Sequence, residues 1–102
     1  MLEGDLYEVL EKTDVAALVR TLPGSSIYGA HFPGYSITPG VGLVQMALDL
    51  MGKELVSAKD IKFVQPVFPG ALVRFEWTED GAVHVFLEAD GSLCAKMNLL
   101  CR

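Results

Sequence analysis

From Ile61 onward the chain alternates between apolar and polar positions. Ile61–Val67, Ala71–Thr78, Val83–Ala89 and Leu93–Arg102 are rich in Val, Phe, Leu and Trp. In the third run Val83, Val85 and Leu87 fall on one side, and His84, Phe86 and Glu88 on the other. A period of two marks a strand with one buried face. Asp80-Gly81 and Asp90-Gly91 sit between the last three runs, and Asp-Gly between extended runs is a strong hairpin signal. The pattern predicts an antiparallel meander of four strands.

Before it the period is helical. Val41 to about Leu55 follows Pro39-Gly40 and is rich in Leu, Met, Ala and Val. The exceptions are Gly42, Gln45, Asp49 and Gly52 or Lys53, which share one narrow stripe. A helix so apolar is buried on most sides, with Leu43, Val44, Ala47, Leu48 and Met51 as core. Leu6 to Leu22 reads as two strands around Lys12–Asp14. Four of the five prolines precede a glycine (Pro23, Pro33, Pro39 and Pro69), each pair marking a turn. No internal repeat is visible. The expected class is α+β, a curved antiparallel sheet wrapped around one central helix.

Composition narrows the function. A chain of 102 residues is expected to form a single domain over 1–102. Its formal charge of −5 argues against nucleic acid as a partner, because phosphate binding needs clustered Lys and Arg. Glu3, Asp5, Glu8, Glu11 and Asp14 leave no room for a basic leader, and no apolar run approaches the ~20 residues of a membrane span. A cytoplasmic location is therefore expected. Cys94 and Cys101 are seven residues apart on one predicted strand and cannot pair, so both read as packing residues. The only histidines, His31 and His84, make no metal-ligand spacing with them. An apolar content of 51% in so short a chain points to a homodimer or higher homo-oligomer.

The chemistry concentrates in His31 to Leu50, His-Phe-Pro-Gly-Tyr-Ser-Ile-Thr-Pro-Gly-Val-Gly-Leu-Val-Gln-Met-Ala-Leu-Asp-Leu. This segment resembles the active-site region of the β-hydroxyacyl-(acyl-carrier-protein) dehydratases of the FabA/FabZ type. Their pattern is His-Phe-x-Gly, then Pro-Gly heading a central helix, then a carboxylate on that helix. Ile61-Lys62-Phe63-Val64-Gln65-Pro66-Val67-Phe68-Pro69-Gly70 resembles the same family's strand and Pro-Val-x-Pro-Gly turn, at the family's spacing. The resemblance runs from about Leu18 onward. It implies the hotdog fold, usually paired across two subunits into a continuous sheet, and no metal or redox cofactor.

The residues suit that chemistry on physical grounds. Prolines 33 and 39 stiffen the loop on either side of the motif. A rigid loop ending at a helix start holds the His31 imidazole near free backbone N–H groups. Those donors, with the helix dipole, suit an enolate oxygen developing on a thioester. Gly40 permits close approach to the backbone. The resemblance makes the Gly40 N–H the oxyanion donor, and the Ile37 carbonyl the group that orients His31 as a base. The plainer alternative is a structural loop histidine. His84 alternates with Val83 and Val85 and reads as a solvated sheet residue. Phe32, Phe68 and Trp77 are candidates to line an acyl tunnel, against the plainer reading of core or dimer contacts.

One position departs from the family. Where the dehydratases carry Glu or Asp on the helix, fourteen residues after the histidine, this chain has Gln45. Four residues on, where FabZ-type members often have Gln, it has Asp49. An amide donates a hydrogen bond but gives up no proton. Either Asp49 acts as the acid from one turn deeper, or the pair is a polar seam across a dimer and elimination is slow or lost. Three functions follow: a dehydratase of 3-hydroxyacyl thioesters in fatty-acid or specialised lipid synthesis, with Asp49 or Gln45 from the facing subunit at the hydroxyl; a hotdog subunit that binds acyl chains or partners an active homologue; and an acyl thioesterase. The thioester would be carried by acyl carrier protein or coenzyme A. Lys59, Lys62, Arg74 and Arg20 are the candidate local patch for an acidic carrier.

Overall fold

The computed structural model describes residues 3–25 and 38–102. His31, Phe32 and Ile37 lie outside the described residues. Within them the elements run β1 (Tyr7–Lys12), β2 (Ala16–Thr21), α1 (Gly40–Met51), β3 (Leu55–Phe63), β4 (Leu72–Trp77), β5 (Ala82–Leu87) and β6 (Leu93–Cys101). The six strands form one sheet in the order β1-β2-β4-β5-β6-β3, and every neighbouring pair is antiparallel. This is the α+β hotdog arrangement that the sequence implies, with one correction: β3 does not pair with β4 as a meander of four strands requires but lies on the outer side of β6, so only β4, β5 and β6 run as a meander.

Alternation builds the core. Ala17, Val19 and Thr21 of β2, Val73, Phe75 and Trp77 of β4, Val83 and Val85 of β5, and Ala95, Met97 and Leu99 of β6 all face inward and are buried. All but Thr21 share one hydrophobic cluster with Leu43, Met46, Ala47 and Leu50 of α1. The β1–β2 hairpin turns on Thr13, whose hydroxyl oxygen accepts the N–H groups of Val15 and Ala16 at 3.3 and 3.1 Å. Cys94 is fully buried and Cys101 half-buried, and neither forms a disulfide. Burial pushes the Cys94 thiol above its usual range.

Three boundaries differ from the pattern. The helix stops at Met51, because Gly52 adopts a left-handed φ of 67° and the Lys53 N–H closes back on the Leu48 carbonyl at 3.1 Å. The third strand begins at Leu55, six residues before Ile61. It pairs only with β6, and all nine of its residues are exposed. With neither face buried, nothing imposes a period of two on its sequence. A register shift between Lys59 and Lys62, with Asp60 at φ 54°, breaks the alternation further. The strand ends at Phe63, ahead of Pro66, which has no N–H for a ladder.

The stripe on α1 also shifts. Gly42 is buried: a Cβ there would stand 3.4 Å from Leu6. The outward line is instead Val41, Gln45, Asp49 and Gly52, with Asp49 half-buried. Among the described residues no helix is long and apolar enough to cross a membrane.

Candidate active site

The two motif segments are physically joined. The Thr38 N–H donates to the Val67 carbonyl at 2.7 Å, tying the approach to α1 to the Pro66–Gly70 turn. That turn is itself pinned from β2. The Thr21 hydroxyl donates to the Phe68 carbonyl at 2.8 Å and accepts the Ala71 N–H at 3.0 Å, and Thr21 is fully buried. The backbone leading into the helix therefore rests on a turn anchored in the core.

Pro39 is buried at the helix cap, with φ −62° and ψ 148°, and its carbonyl accepts the N–H groups of Gly42 and Leu43 at 2.9 and 3.2 Å. Gly40 and Val41 precede the first intrahelical bond, so their N–H groups have no acceptor within the helix. They carry the positive end of its dipole. The Phe63 ring lies against this point: a Cβ on Gly40 would come within 2.5 Å of it. The close approach that glycine permits here is made by Phe63, which is half-exposed and walls one side of the donors.

One turn and two turns along the outward line stand the polar pair. The Gln45 amide donates to Asp49 Oδ1 at 2.9 Å. The other carboxyl oxygen, Oδ2, receives the Tyr7 hydroxyl at 3.4 Å. Tyr7 comes from β1 and is 1% exposed. Its phenol is pushed above the usual range by burial first, then by the charges of Asp49 and Glu3 and by the hydrogen bond to Asp49.

Gly40, Gln45 and Asp49 are thus brought onto one helix. Phe68 sits half-exposed on the pinned turn. Trp77 does not join it: it lines a surface hollow of about 320 Å³ with Met51 and Lys53, beyond the far end of the helix. His84 is exposed on β5, stacked on Phe86 at 6.1 Å, away from the helix. The basic patch is not assembled. Arg20 on β2 is separated from Lys59 and Lys62 on β3 by three strands, and Arg74 is held by Glu88 at 2.5 Å. Tyr7 and Phe63 are the site residues that sequence reasoning missed. The only signal for Tyr7 was a hydroxyl on an otherwise apolar inward position of β1, and its contact spans 42 residues.

A family model for ApeI dehydratases matches residues 8–98. The chain belongs to the ApeI-like dehydratase family. The match covers every strand but the ends of the first and last, together with the whole of α1. Among solved structures, the dehydratase heterocomplex ApeI:P from Xenorhabdus doucetiae superposes with a TM-score of 0.64 at 21% identity, over 98% of this chain and 100% of that one. A Streptococcus mutans UA159 protein bound to acetyl CoA gives 0.60 at 12% identity, over 100% and 94%. A hypothetical thioesterase from Streptococcus pneumoniae TIGR4 gives 0.55 at 13%, over 94% and 91%. At these identities the likeness shows the shared hotdog fold. No curated protein matches the chain.

Proposed function

We propose that this single-domain, cytoplasmic chain dehydrates 3-hydroxyacyl thioesters to trans-2-enoyl thioesters. The observation that supports this reading most is the Gln45–Asp49 pair, hydrogen-bonded on the outward line of the helix that offers the Gly40 N–H at its start. The thioester oxygen would rest on the N–H groups of Gly40 and Val41, where the enolate charge develops. His31, oriented by the Ile37 carbonyl, takes the α-proton.

The helix spacing decides which polar residue meets the 3-hydroxyl. At 1.5 Å per residue Gln45 stands about 7.5 Å along the axis from Gly40, and Asp49 about 6 Å further. Helical side chains lean toward the N-terminus, which brings the Gln45 amide back toward the donors. Gln45 would therefore hold the hydroxyl and Asp49 would hold Gln45. In the proposed elimination the Cα–H bond breaks with its proton passing to His31. The Cβ–O bond then breaks, the leaving oxygen takes that proton back, and water departs. Histidine ends neutral, and the acyl chain gains one double bond. An amide suffices for this route because it supplies orientation and no proton. Phe32 and Phe68 would flank the acyl chain, carried by acyl carrier protein or coenzyme A.

A homodimer fits the outer edge of β3, where Leu55, Val56, Ile61 and Phe63 are exposed. An apolar strand edge of this kind is a template for pairing with another chain. The same edge supports a second reading, in which a different hotdog chain pairs there and supplies the proton-donating carboxylate. The Xenorhabdus doucetiae structure is a dehydratase heterocomplex.

The test is to mix the purified protein with 3-hydroxyacyl thioesters on both carriers, following enoyl formation and thiol release together. Enoyl product that disappears in His31→Ala supports the dehydratase reading. Thiol release without enoyl product points to hydrolysis and overturns it.

A further inference from the structure

Tyr7 has a place in the candidate site that packing alone does not require. Its ring is buried with the core cluster, and a phenylalanine would fill the same space. Its hydroxyl reaches the one carboxylate on the outward line of α1. The chain of contacts runs from Tyr7 to Asp49 Oδ2, and from Asp49 Oδ1 to the Gln45 amide. With donors at both oxygens, one orientation of the carboxyl plane is favoured. A carboxylate so oriented favours one rotamer of Gln45, an exposed side chain that would otherwise sample many.

Tyr7 is well placed to hold that geometry. Its carbonyl accepts the Gly4 N–H at 2.7 Å, and it stands opposite Thr21 in the β1–β2 ladder. Thr21 is the residue that pins the Phe68 turn. The two ends of the candidate site are thus referred to neighbouring positions of one hairpin. Asp49 occupies the last helical turn, where the helix's own partial negative charge favours no anion. Donors from outside the helix are what keep a carboxylate aimed there.

We infer that Tyr7 is a positioning residue: its buried hydroxyl fixes Asp49, and through it the Gln45 amide that faces the substrate hydroxyl. The inference rests on the dehydratase reading, and it adds a residue from outside the helix to that site. Burial and the neighbouring charges of Asp49 and Glu3 also keep the phenol protonated, so it remains a donor across the working pH range.

The experiment pairs a measurement that needs no activity with one that does. Tyrosine ring carbons are labelled and their chemical shifts compared by NMR at neutral pH in the wild type and in Asp49→Asn, with Tyr7→Phe assigning the Tyr7 signal. Because the Tyr7 hydroxyl donates to Asp49 Oδ2, replacing the carboxylate by an amide should move the Tyr7 Cζ signal while the other tyrosine signals hold. In the kinetic arm Tyr7→Phe should lower kcat by roughly 10-fold with KM unchanged, the scale of a misplaced catalytic contact. Its melting temperature should hold. In the Asp49→Asn background the same substitution should cost nothing more, because Tyr7 acts through Asp49.

A Tyr7 signal indifferent to Asp49→Asn overturns the inference whatever the activity. So does a Tyr7→Phe loss that persists undiminished in the Asp49→Asn background, or an active wild type that Tyr7→Phe leaves untouched. A responsive Tyr7 signal in a protein that forms no enoyl product overturns the dehydratase reading, and the positioning role with it. If Tyr7→Phe folds poorly, through-bond correlations in the wild type assign the Tyr7 signal instead, and Asp49→Asn still carries the NMR arm.

Discussion

Gln45 and Asp49 are bonded to each other, amide to carboxylate at 2.9 Å, one helical turn apart. The inverted order of amide and carboxylate is therefore a connected unit with its amide nearer the helix start. A carboxylate at 49 does not need to reach the substrate to matter. Its bond to Gln45 lets it act on the residue proposed to do so.

Gly40→Ala should crowd the site without removing its donor. The new methyl would stand 2.5 Å from the Phe63 ring, well inside contact distance, while the backbone N–H remains. The ring is half-exposed and can swing outward. We expect a sharp fall in kcat/KM with a modest drop in melting temperature, and recovery when Phe63→Ala is added. Failure of the second substitution to restore turnover would mean that Phe63 is not what Gly40 accommodates.

Thr21→Val should loosen the turn and lower stability. The substitution keeps the shape and removes the hydroxyl that serves both the Phe68 carbonyl and the Ala71 N–H. A buried polar group left without its partner costs about 1–3 kcal/mol. For a domain of this size each kcal/mol lowers Tm by roughly 4–8 °C. Calorimetry on the two proteins reads the difference directly.

Disruption of the β3 edge should dissociate the assembly. Ile61 and Val56 are apolar and exposed on the outermost strand. Lysine is a standard means of blocking such an edge. Wild type should sediment as a dimer or larger at micromolar concentration, and Ile61→Lys with Val56→Lys should shift it to monomer. A wild-type monomer of 11.1 kDa removes the basis for a shared sheet.

β4, β5 and β6 were legible because each has one buried face, and burial writes a period of two into the sequence. Val83 and Val85 inward with His84 outward is the pattern read and the pattern found. β3 was read from Ile61, too late, because an edge strand exposed on both faces carries no such constraint. The helix was legible as a helix, yet its stripe was misread at Gly42. A glycine looks neutral in sequence, and here it is the point where Leu6 packs against α1. Gly40, Gln45 and Asp49 stood out through local spacing. Tyr7 did not, because its partner lies 42 residues away and only the β1 hairpin brings the two together.

Gln45→Glu tests the site most directly. It places a carboxyl group where the dehydratases that the chain resembles keep one, at almost constant volume. In the proposed mechanism the wild-type amide orients and His31 alone would manage the proton. A carboxylic acid at 45 adds a proton donor at the leaving hydroxyl, and elimination should rise ~10²-fold, the lower range for a positioned general acid. The new side chain also faces Asp49, and two carboxyl groups at that distance cannot both ionise without cost, which favours the protonated form that an acid needs. Asp49→Asn should therefore hurt the wild type, where Asp49 aims the amide, more than it hurts Gln45→Glu. Steady-state rates on one 3-hydroxyacyl thioester for the four proteins of this cycle decide the matter. If Gln45→Glu gains nothing and Asp49→Asn loses nothing, neither helix position takes part in proton transfer, the dehydratase reading fails, and a hotdog subunit that binds acyl chains or partners an active homologue becomes the better reading.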